Sequence, residues 1–154
     1  NTLSKNLKLA CHMFSEHDIQ PVFEMINGTD MPRFLVQNIA QAQEMLEAVQ
    51  HPALKMQYDC YHMAMMGEDV LQGLQENIQA IGHIQFADCP GRHEPDTAQI
   101  MYANIFEWLQ HSRYDGYCGG ISTKNCFNSV LCMEGKILCR TSSKLSHCRF
   151  EIFA

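Results

Sequence analysis

The sequence lacks any long apolar run and is poor in basic residues. No stretch of its 154 residues approaches the ~18 consecutive apolar residues of a membrane-spanning helix. Lys and Arg number 11 against 17 Asp and Glu, a formal net charge of −6, whereas a general nucleic-acid-binding protein usually carries a basic face. With 46% hydrophobic and 18% charged residues, the composition is that of a globular protein. We therefore expect no membrane and no nucleic-acid partner.

A secretory signal is also missing from the opening residues. Residues 1–9 (NTLSKNLKL) contain no apolar run followed by a small-residue cleavage site. The sequence starts at Asn1 rather than Met, so it could begin partway through a longer protein. We expect a cytoplasmic chain.

Charge and cysteine divide the chain after Tyr117. Residues 1–117 carry 6 Lys and Arg and 15 Asp and Glu, whereas residues 118–154 carry 5 and 2. Five of the eight cysteines lie in residues 118–154, but without the C-x₂₋₄-C pairs of zinc modules. No signal peptide supports a secreted disulfide framework. We interpret residues 120–154 as a divergent, Cys-rich and poorly ordered tail, such as an alternative exon or an out-of-frame translation would produce.

Four segments of the remaining body have the composition of buried strands. They are residues 21–26 (PVFEMI), 55–59 (KMQYD), 83–87 (HIQFA) and, more weakly, 116–121. Amphipathic helical patterns lie before the first strand and between the others. Strands alternating with helices predict an α/β fold with a parallel sheet.

The number of these units limits the fold. A closed (β/α)₈ TIM barrel needs at least ~200 residues, whereas this chain has room for about four βα units. We predict an incomplete TIM barrel in residues 1–119, whose exposed sheet edges could pair in a homo-oligomer. An open doubly wound sheet is the alternative, although no G-x-G-x-x-G phosphate loop is present.

Polar side chains interrupt three successive predicted strands near their carboxyl ends. Glu24 lies inside the first strand, Asp59 closes the second, and Gln85 lies inside the third. A buried carboxylate is costly unless it is paired or binds a cation. Because these strands would be adjacent and parallel, the three side chains could converge at one barrel mouth. Such oxygen ligands suit Mg²⁺ or Mn²⁺ rather than zinc.

Each candidate also has a structural explanation. Glu24 could pair with Arg33, and Asp59 could be the N-cap of the helical segment that follows it. His62 could be a structural histidine, and Arg92, in a Pro/Gly-containing loop, could face solvent. The occurrence of Glu, Asp and Gln at the same end of three strands favours the site.

Four ordered motifs resemble a known family. They are residues 23–27 with 30–32, residues 57–62, residues 82–88 and residues 90–95. From about residue 3 to 119 the sequence resembles the hydroxypyruvate isomerase family, which belongs to the xylose-isomerase-like TIM barrels. The resemblance corresponds to the C-terminal half of such a barrel. The resemblance implies a divalent metal, Mg²⁺ or Mn²⁺, held by Glu24, Asp59 and Gln85. It also implies that Glu24 is an acid/base catalyst and that His62 and Arg92 bind substrate.

The sequence departs from the family at a second glutamate. That residue normally lies in a Gly-Cys-Glu-Tyr run on the last strand, and here Ile121 stands in its place. An isoleucine can neither bind metal nor transfer a proton. Thr29 likewise stands where the family often has an arginine.

The resemblance implies a reaction on a small hydroxy-oxo acid. It would interconvert hydroxypyruvate and tartronate semialdehyde (2-hydroxy-3-oxopropanoate) by metal-assisted proton transfer through an enediolate. A 2-oxo-tetronate isomerase and a non-catalytic fragment that binds metal or a partner remain alternatives. A DNA-repair endonuclease shares the superfold, but the acidic body argues against it.

Overall fold

Parallel strands form one sheet in the part of the chain that the structure describes. The structure, a computed structural model, describes residues 1–120 and the backbone of residues 150–152. The strands are β1 (Val22–Glu24), β2 (Lys55–Asp59), β3 (Ile81–Phe86), β4 (Tyr117–Gly120) and β5 (Phe150–Ile152). They lie in the order β1-β2-β3-β4-β5, and each neighbouring pair is parallel. The predicted α/β fold, an incomplete TIM barrel, is confirmed.

Helices connect the strands, and polar side chains begin most of them. The helices are α1 (Thr2–Ser15), α2 (Ile39–Val49), α3 (Cys60–Met65), α4 (Val70–Asn77) and α5 (Tyr102–His111), with a short 3₁₀ turn at Ile78–Ala80. Side-chain oxygens of Asn1, Asn38, Asp59 and Asp69 accept backbone N–H groups at the starts of α1 to α4. These caps satisfy donors that the first helical turn leaves without a partner. Asp59 is both the last residue of β2 and the cap of α3, so strand passes directly into helix there.

The strands separate apolar from polar side chains by their alternation. Tyr58 and Phe86 point towards the helices: the Tyr58 hydroxyl donates to the Val70 carbonyl of α4 at 3.1 Å, and the Phe86 ring packs edge-on against Tyr102 and Phe106 of α5. Since successive strand residues face opposite sides, the neighbours of Tyr58 and Phe86 in the sequence point away from this helical layer. Those neighbours include Gln57, Asp59 and Gln85.

The strand bounds differ most from those predicted in β1 and β3. β1 ends at Glu24 because the Ile26 N–H donates to the Val36 carbonyl of its own loop rather than to the sheet. β3 begins at Ile81 and so includes Gly82, a residue type that is disfavoured in strands. The glycine permits a close approach, because a Cβ at position 82 would lie 2.8 Å from the Cβ of Lys55 on β2.

One edge of the sheet lies at β1, which pairs only with β2 within the described residues. Several apolar side chains on the segment leading into β1 are exposed, namely those of Leu9, Met13, Phe14, Ile19 and Val22. Self-association through this edge stays a prediction, which light scattering would test. None of the helices in residues 1–120 has the length and apolar character needed to cross a bilayer.

Candidate metal and substrate site

The strand register brings the predicted polar residues onto one face of the sheet. Glu24 of β1 is the register partner of Gln57 on β2, and Asp59 of β2 is the partner of Gln85 on β3. Register partners in neighbouring strands point to the same side, and so do residues two apart in one strand. All four side chains therefore share the face opposite the helices, towards the carboxyl ends of their strands.

Asp59 is the buried centre of this group. Its side chain has no exposed surface, and its two oxygens have different partners. Oδ1 accepts the backbone N–H of Tyr61 at 2.8 Å, which is the helix cap of α3. Oδ2 accepts from Arg92 Nη2 at 2.7 Å and lies 3.8 Å from His62 Nε2. The structural explanation of Asp59 as a cap is thus correct for one oxygen, while the other faces the candidate site.

Glu24 lies beside Asp59 with part of its side chain accessible. Its exposed fraction is 24%, and its Oε1 is 4.0 Å from His62 Nε2. Burial raises the pKa of Glu24, and the nearby Asp59 carboxylate raises it further, against the lowering effects of Gln57 and Arg92. A carboxylate with a raised pKa is a stronger base than an exposed one. The ion pairs of Glu24 and Asp59 in the described residues involve His62 and Arg92, so the predicted alternative of a Glu24–Arg33 pair is wrong.

Arg92 reaches the site from the loop after β3. It is half-buried, with its guanidinium 5.1 Å from the centre of the Tyr61 ring and paired with Asp59. The alternative that its loop position would leave it facing solvent is therefore wrong. Its backbone adopts the left-handed φ of 57°, which is uncommon for a residue with a side chain. The buried Nε–H of Arg92 has no hydrogen-bond partner, so this donor is available to a ligand.

The donor set suits a hard divalent cation. One ligand atom each from Glu24, Asp59 and His62 lie within 4.8 Å of one another. Gln85 adds an amide oxygen next to Asp59 on the same face. Carboxylate and amide oxygens are the ligands that Mg²⁺ and Mn²⁺ prefer. The Arg92 guanidinium supplies the positive charge that pairs with the buried Asp59 carboxylate in this structure.

A model of the xylose isomerase-like TIM barrel family matches residues 1–123. The chain belongs to this family. It is 37% identical to the hydroxypyruvate isomerase of Escherichia coli K12 over 118 residues, covering 77% of this chain and 46% of that protein. It is 36% identical over 118 residues to the 2-oxo-tetronate isomerase of Cupriavidus necator, with coverages of 77% and 45%. The chain thus spans about half the length of the curated relatives it matches.

Solved structures with similar folds superpose on the chain. A crystal structure titled AP endonuclease, family 2, from Brucella melitensis superposes with a TM-score of 0.74 at 28% identity, covering 79% of this chain and 46% of that one. D-Allulose 3-epimerase from Methylomonas sp., in complex with D-allulose, superposes with a TM-score of 0.67 at 16% identity, with coverages of 79% and 41%. The latter likeness concerns the fold alone.

Three residues at this family site were not predicted from the sequence. Gln57 donates from Nε2 to Oε1 of Gln85 at 3.0 Å and also lowers the pKa of Glu24, so it links two of the predicted ligands. Asn27 is fully buried and contacts His62, and Asp30 contacts Asn27. A buried asparagine three residues after a short strand is the signal that could have indicated this contact, but its partner lies 35 residues away.

His62 itself is almost fully buried between these groups. Burial lowers the pKa of His62, and Arg92 lowers it further, whereas Asp59 raises it. Ile121, which the sequence resemblance places where a second glutamate is expected, lies outside the described residues, as does the predicted tail apart from Gly120 and the backbone of β5.

Proposed function

We propose that the chain is an isomerase that interconverts hydroxypyruvate and tartronate semialdehyde by proton transfer between adjacent carbons. One observation carries this proposal: Glu24, Asp59 and Gln85 share one face at the carboxyl ends of three adjacent parallel strands, with Arg92 paired to Asp59. The 37% identity to the E. coli hydroxypyruvate isomerase supports the choice of substrate. The substrate is a small hydroxy-oxo acid.

Glu24, Asp59 and Gln85 would hold a divalent metal, Mg²⁺ or Mn²⁺. When bound, the ion supplies positive charge that stabilises negative charge on the substrate's carbonyl and hydroxyl oxygens. Asp59 keeps its Oδ1 on the Tyr61 N–H, so a cation would bind at Oδ2, which accepts from Arg92 in this structure. Gln57 orients the Gln85 amide through its 3.0 Å hydrogen bond. Partners of this kind typically change metal affinity ~10–100-fold when they are removed.

Glu24 is the proton-transfer residue. It would remove a proton from C3 of hydroxypyruvate, which leaves an enediolate. The isomerisation is complete when the proton of the C3 hydroxyl has moved to the oxygen on C2 and C2 itself has received a proton. Burial raises the pKa of Glu24, which increases its basicity for the first step. General acid–base residues typically contribute ~10²–10⁴-fold in rate. Because Ile121 stands where the family has its second glutamate, we expect proton removal to be retained better than proton return.

Arg92 would bind the substrate carboxylate. Its Nη2 donates to Asp59, while its buried Nε–H has no partner and could donate to an anionic oxygen. Hydrogen bonds between a guanidinium and a carboxylate are short and strong because both groups are charged. Arg92 therefore orients the acid end of the substrate relative to Glu24.

Deuterium exchange tests the proposal. The full 154-residue chain is incubated with Mg²⁺ and hydroxypyruvate in D₂O, and ¹H NMR follows both loss of the C3 proton signal and formation of tartronate semialdehyde. We expect exchange at C3 that Glu24→Gln abolishes and that needs Mg²⁺ or Mn²⁺. A folded, metal-loaded chain that produces neither exchange nor product contradicts the proposal.

Two alternatives give different outcomes in the same assay. Faster exchange with a four-carbon 2-oxo-tetronate would assign the specificity of the second relative, which is 36% identical. Thermal stabilisation by Mg²⁺ without exchange on either substrate would identify a non-catalytic metal-binding chain. The Brucella structure is named AP endonuclease, family 2, but we propose no nucleic-acid partner, since residues 1–117 hold 15 acidic and 6 basic residues.

A further inference from the structure

A buried asparagine faces the ring of His62. Asn27 lies three residues after β1 and has no exposed surface. Its side-chain Nδ2 is 2.7 Å from Nδ1 of His62, and its backbone N–H donates to the same ring nitrogen at 3.5 Å. A neutral imidazole has one donor nitrogen and one acceptor nitrogen, and its partners determine which is which.

The orientation of the Asn27 amide is fixed by the loop. Its Oδ1 accepts the backbone N–H groups of Thr29 at 3.1 Å and Asp30 at 2.8 Å. A flipped amide would turn its NH₂ group towards these two donors. Nδ2 therefore donates, with one hydrogen towards Asp30 Oδ2 at 3.0 Å and the other towards His62. The backbone N–H of Asn27 can only be a donor as well, so Nδ1 of His62 must accept.

Asp30 anchors the amide from the other side. Its Oδ2 accepts from the Asn27 amide and from the Tyr61 hydroxyl, the latter at 2.8 Å. Tyr61 precedes His62 on α3, so the same helix presents both ends of the network. Asn27 is thereby held between a carboxylate and the imidazole, with every polar group of its side chain in use.

We propose that Asn27 and Asp30 are positioning residues that hold His62 as the Nε2–H tautomer, which makes His62 a hydrogen-bond donor in the site and not a metal ligand. The Nε2–H faces the carboxylates of Glu24 and Asp59, at 4.0 and 3.8 Å. Arg92 Nη2 lies 3.2 Å from the same nitrogen and directs one of its two hydrogens to Asp59. Acceptor lone pairs at both ring nitrogens would require an imidazolate, so the Arg92 contact is not a hydrogen bond.

Two consequences follow for the site. A cation bound at this site would be held by oxygen atoms alone, although His62 lies within the cluster of candidate ligands. The Nε2–H is directed to an oxygen atom of the ligand, a consequence that rests on the proposed function. The tautomer itself rests only on the contacts of Asn27.

Nitrogen NMR of the histidine rings reads the tautomer directly. Long-range ¹H–¹⁵N spectra of the full chain, labelled with ¹⁵N-histidine and free of metal and substrate, separate protonated from unprotonated ring nitrogens. His62→Gln assigns the His62 signals among the eight histidines. We expect an unprotonated Nδ1 and a protonated Nε2. A protonated Nδ1, alone or together with Nε2, or an exchange average of both tautomers, overturns the proposal.

A matched pair of Asn→Asp variants tests the cause. Asn27→Asp replaces the donor by an acceptor and keeps the oxygen on the Thr29 and Asp30 N–H groups, so we expect the ring proton to shift towards Nδ1. Asn38→Asp makes the same change at the cap of α2, where only the side-chain oxygen is used, and should leave the His62 signals unchanged. An unaltered tautomer in folded Asn27→Asp contradicts the positioning role. Should that variant not fold, the wild-type spectrum decides. Because neither readout needs turnover, an inactive chain with the Nε2–H tautomer would refute the proposed function and leave this inference intact.

Discussion

Asp59 and Asp88 are two aspartates without exposed surface; Asp59 is the last residue of β2, and Asp88 lies two residues after β3, the neighbouring strand. Asp88 accepts five backbone N–H groups at 2.8–3.0 Å, all from its own loop, those of Cys89, Thr97, Ala98, Gln99 and Ile100. Asp59 accepts one backbone N–H, and its second oxygen faces the side chains of Arg92 and His62. Burial is therefore the same, but the partners differ.

This difference separates a structural carboxylate from a functional one. The carboxylate of Asp88 is saturated by hydrogen bonds that fix both ends of the loop, and Arg92 lies on that loop. The carboxylate of Asp59 keeps an oxygen for charged groups from other elements, which is the arrangement that a ligand or cation can use. Asp88 thus determines where Arg92 lies, and Asp59 determines what Arg92 and a cation bind.

The largest expected effect is on folding, from Asp88→Asn. The amide of asparagine retains one carbonyl oxygen as an acceptor. Its NH₂ group faces backbone N–H groups that had donated to the second carboxylate oxygen. Leaving such groups without partners should reduce the free energy of unfolding by roughly 2–5 kcal/mol, measured by urea denaturation. Asp96→Asn, on the exposed part of the same loop, is the control and should change it by less than ~0.5 kcal/mol. A loss below ~1 kcal/mol in Asp88→Asn would show that the five contacts are not structural.

Asp59→Asn should affect metal binding more than folding. The amide oxygen can still cap α3 through the Tyr61 N–H, so we expect the metal-free protein to remain folded. Losing a residue that only hydrogen-bonds to a metal ligand typically weakens metal binding by ~10–100-fold. Replacing the Asp59 carboxylate itself by a neutral amide should therefore weaken Mn²⁺ binding by at least as much. Thermal unfolding with and without Mn²⁺ measures both. Equal metal-dependent stabilisation in this variant and in the wild type would contradict the assignment.

Glu24→Gln should change the pH dependence of stability. Burial raises the pKa of Glu24 above its ordinary 4.5, so the folded chain favours the protonated form. The stabilising contribution of that form is present below pH 4.5 and is lost as the pH rises through the raised pKa. We therefore expect the melting temperature of the metal-free wild type to fall relative to Glu24→Gln from acidic to neutral pH. If the difference in melting temperature between the two proteins stayed constant or changed in the opposite direction, burial would not destabilise the ionised form of Glu24.

Tyr61→Phe should have the smallest effect. It leaves the backbone N–H on Asp59 and removes only the hydroxyl that donates to Asp30. We expect a loss of about 0.5–1.5 kcal/mol in the free energy of unfolding, with Mn²⁺ binding unchanged. Calorimetric titration with Mn²⁺ checks that metal binding is unchanged. A large fall in metal affinity would mean that the Tyr61 hydroxyl, and not only its backbone N–H, is needed to position Asp59.

The sequence was sufficient to predict the sheet and the convergence of its polar residues. Alternation and length indicated the strands, and in a parallel sheet the carboxyl ends of adjacent strands must meet, which places Glu24, Asp59 and Gln85 together. The cap that Asp59 forms on α3 was also predictable, although it was considered as an alternative to a role in the site, since a residue between a strand and a helix can be a cap.

The contacts that orient the site could not be predicted in the same way. Asn27 meets His62 across 35 residues, and Arg92 reaches Asp59 across 33. No local pattern encodes such pairs, because the register of three strands and the path of one loop determine them. Asp88 illustrates the same limit, since a motif containing Asp does not show whether its oxygens face backbone N–H groups or an open site.

Binding of Mn²⁺, followed by electron paramagnetic resonance as the signal of the free ion decreases, tests the central claim most directly. The full wild-type chain and Asp59→Asn are titrated side by side, with Asp96→Asn as the control and circular dichroism to establish that each is folded. The account predicts one bound Mn²⁺ for each wild-type and control chain and none at the same concentrations for folded Asp59→Asn. Equal binding by Asp59→Asn and the wild type would contradict it, because the ion would then bind away from the face that Glu24, Asp59 and Gln85 share.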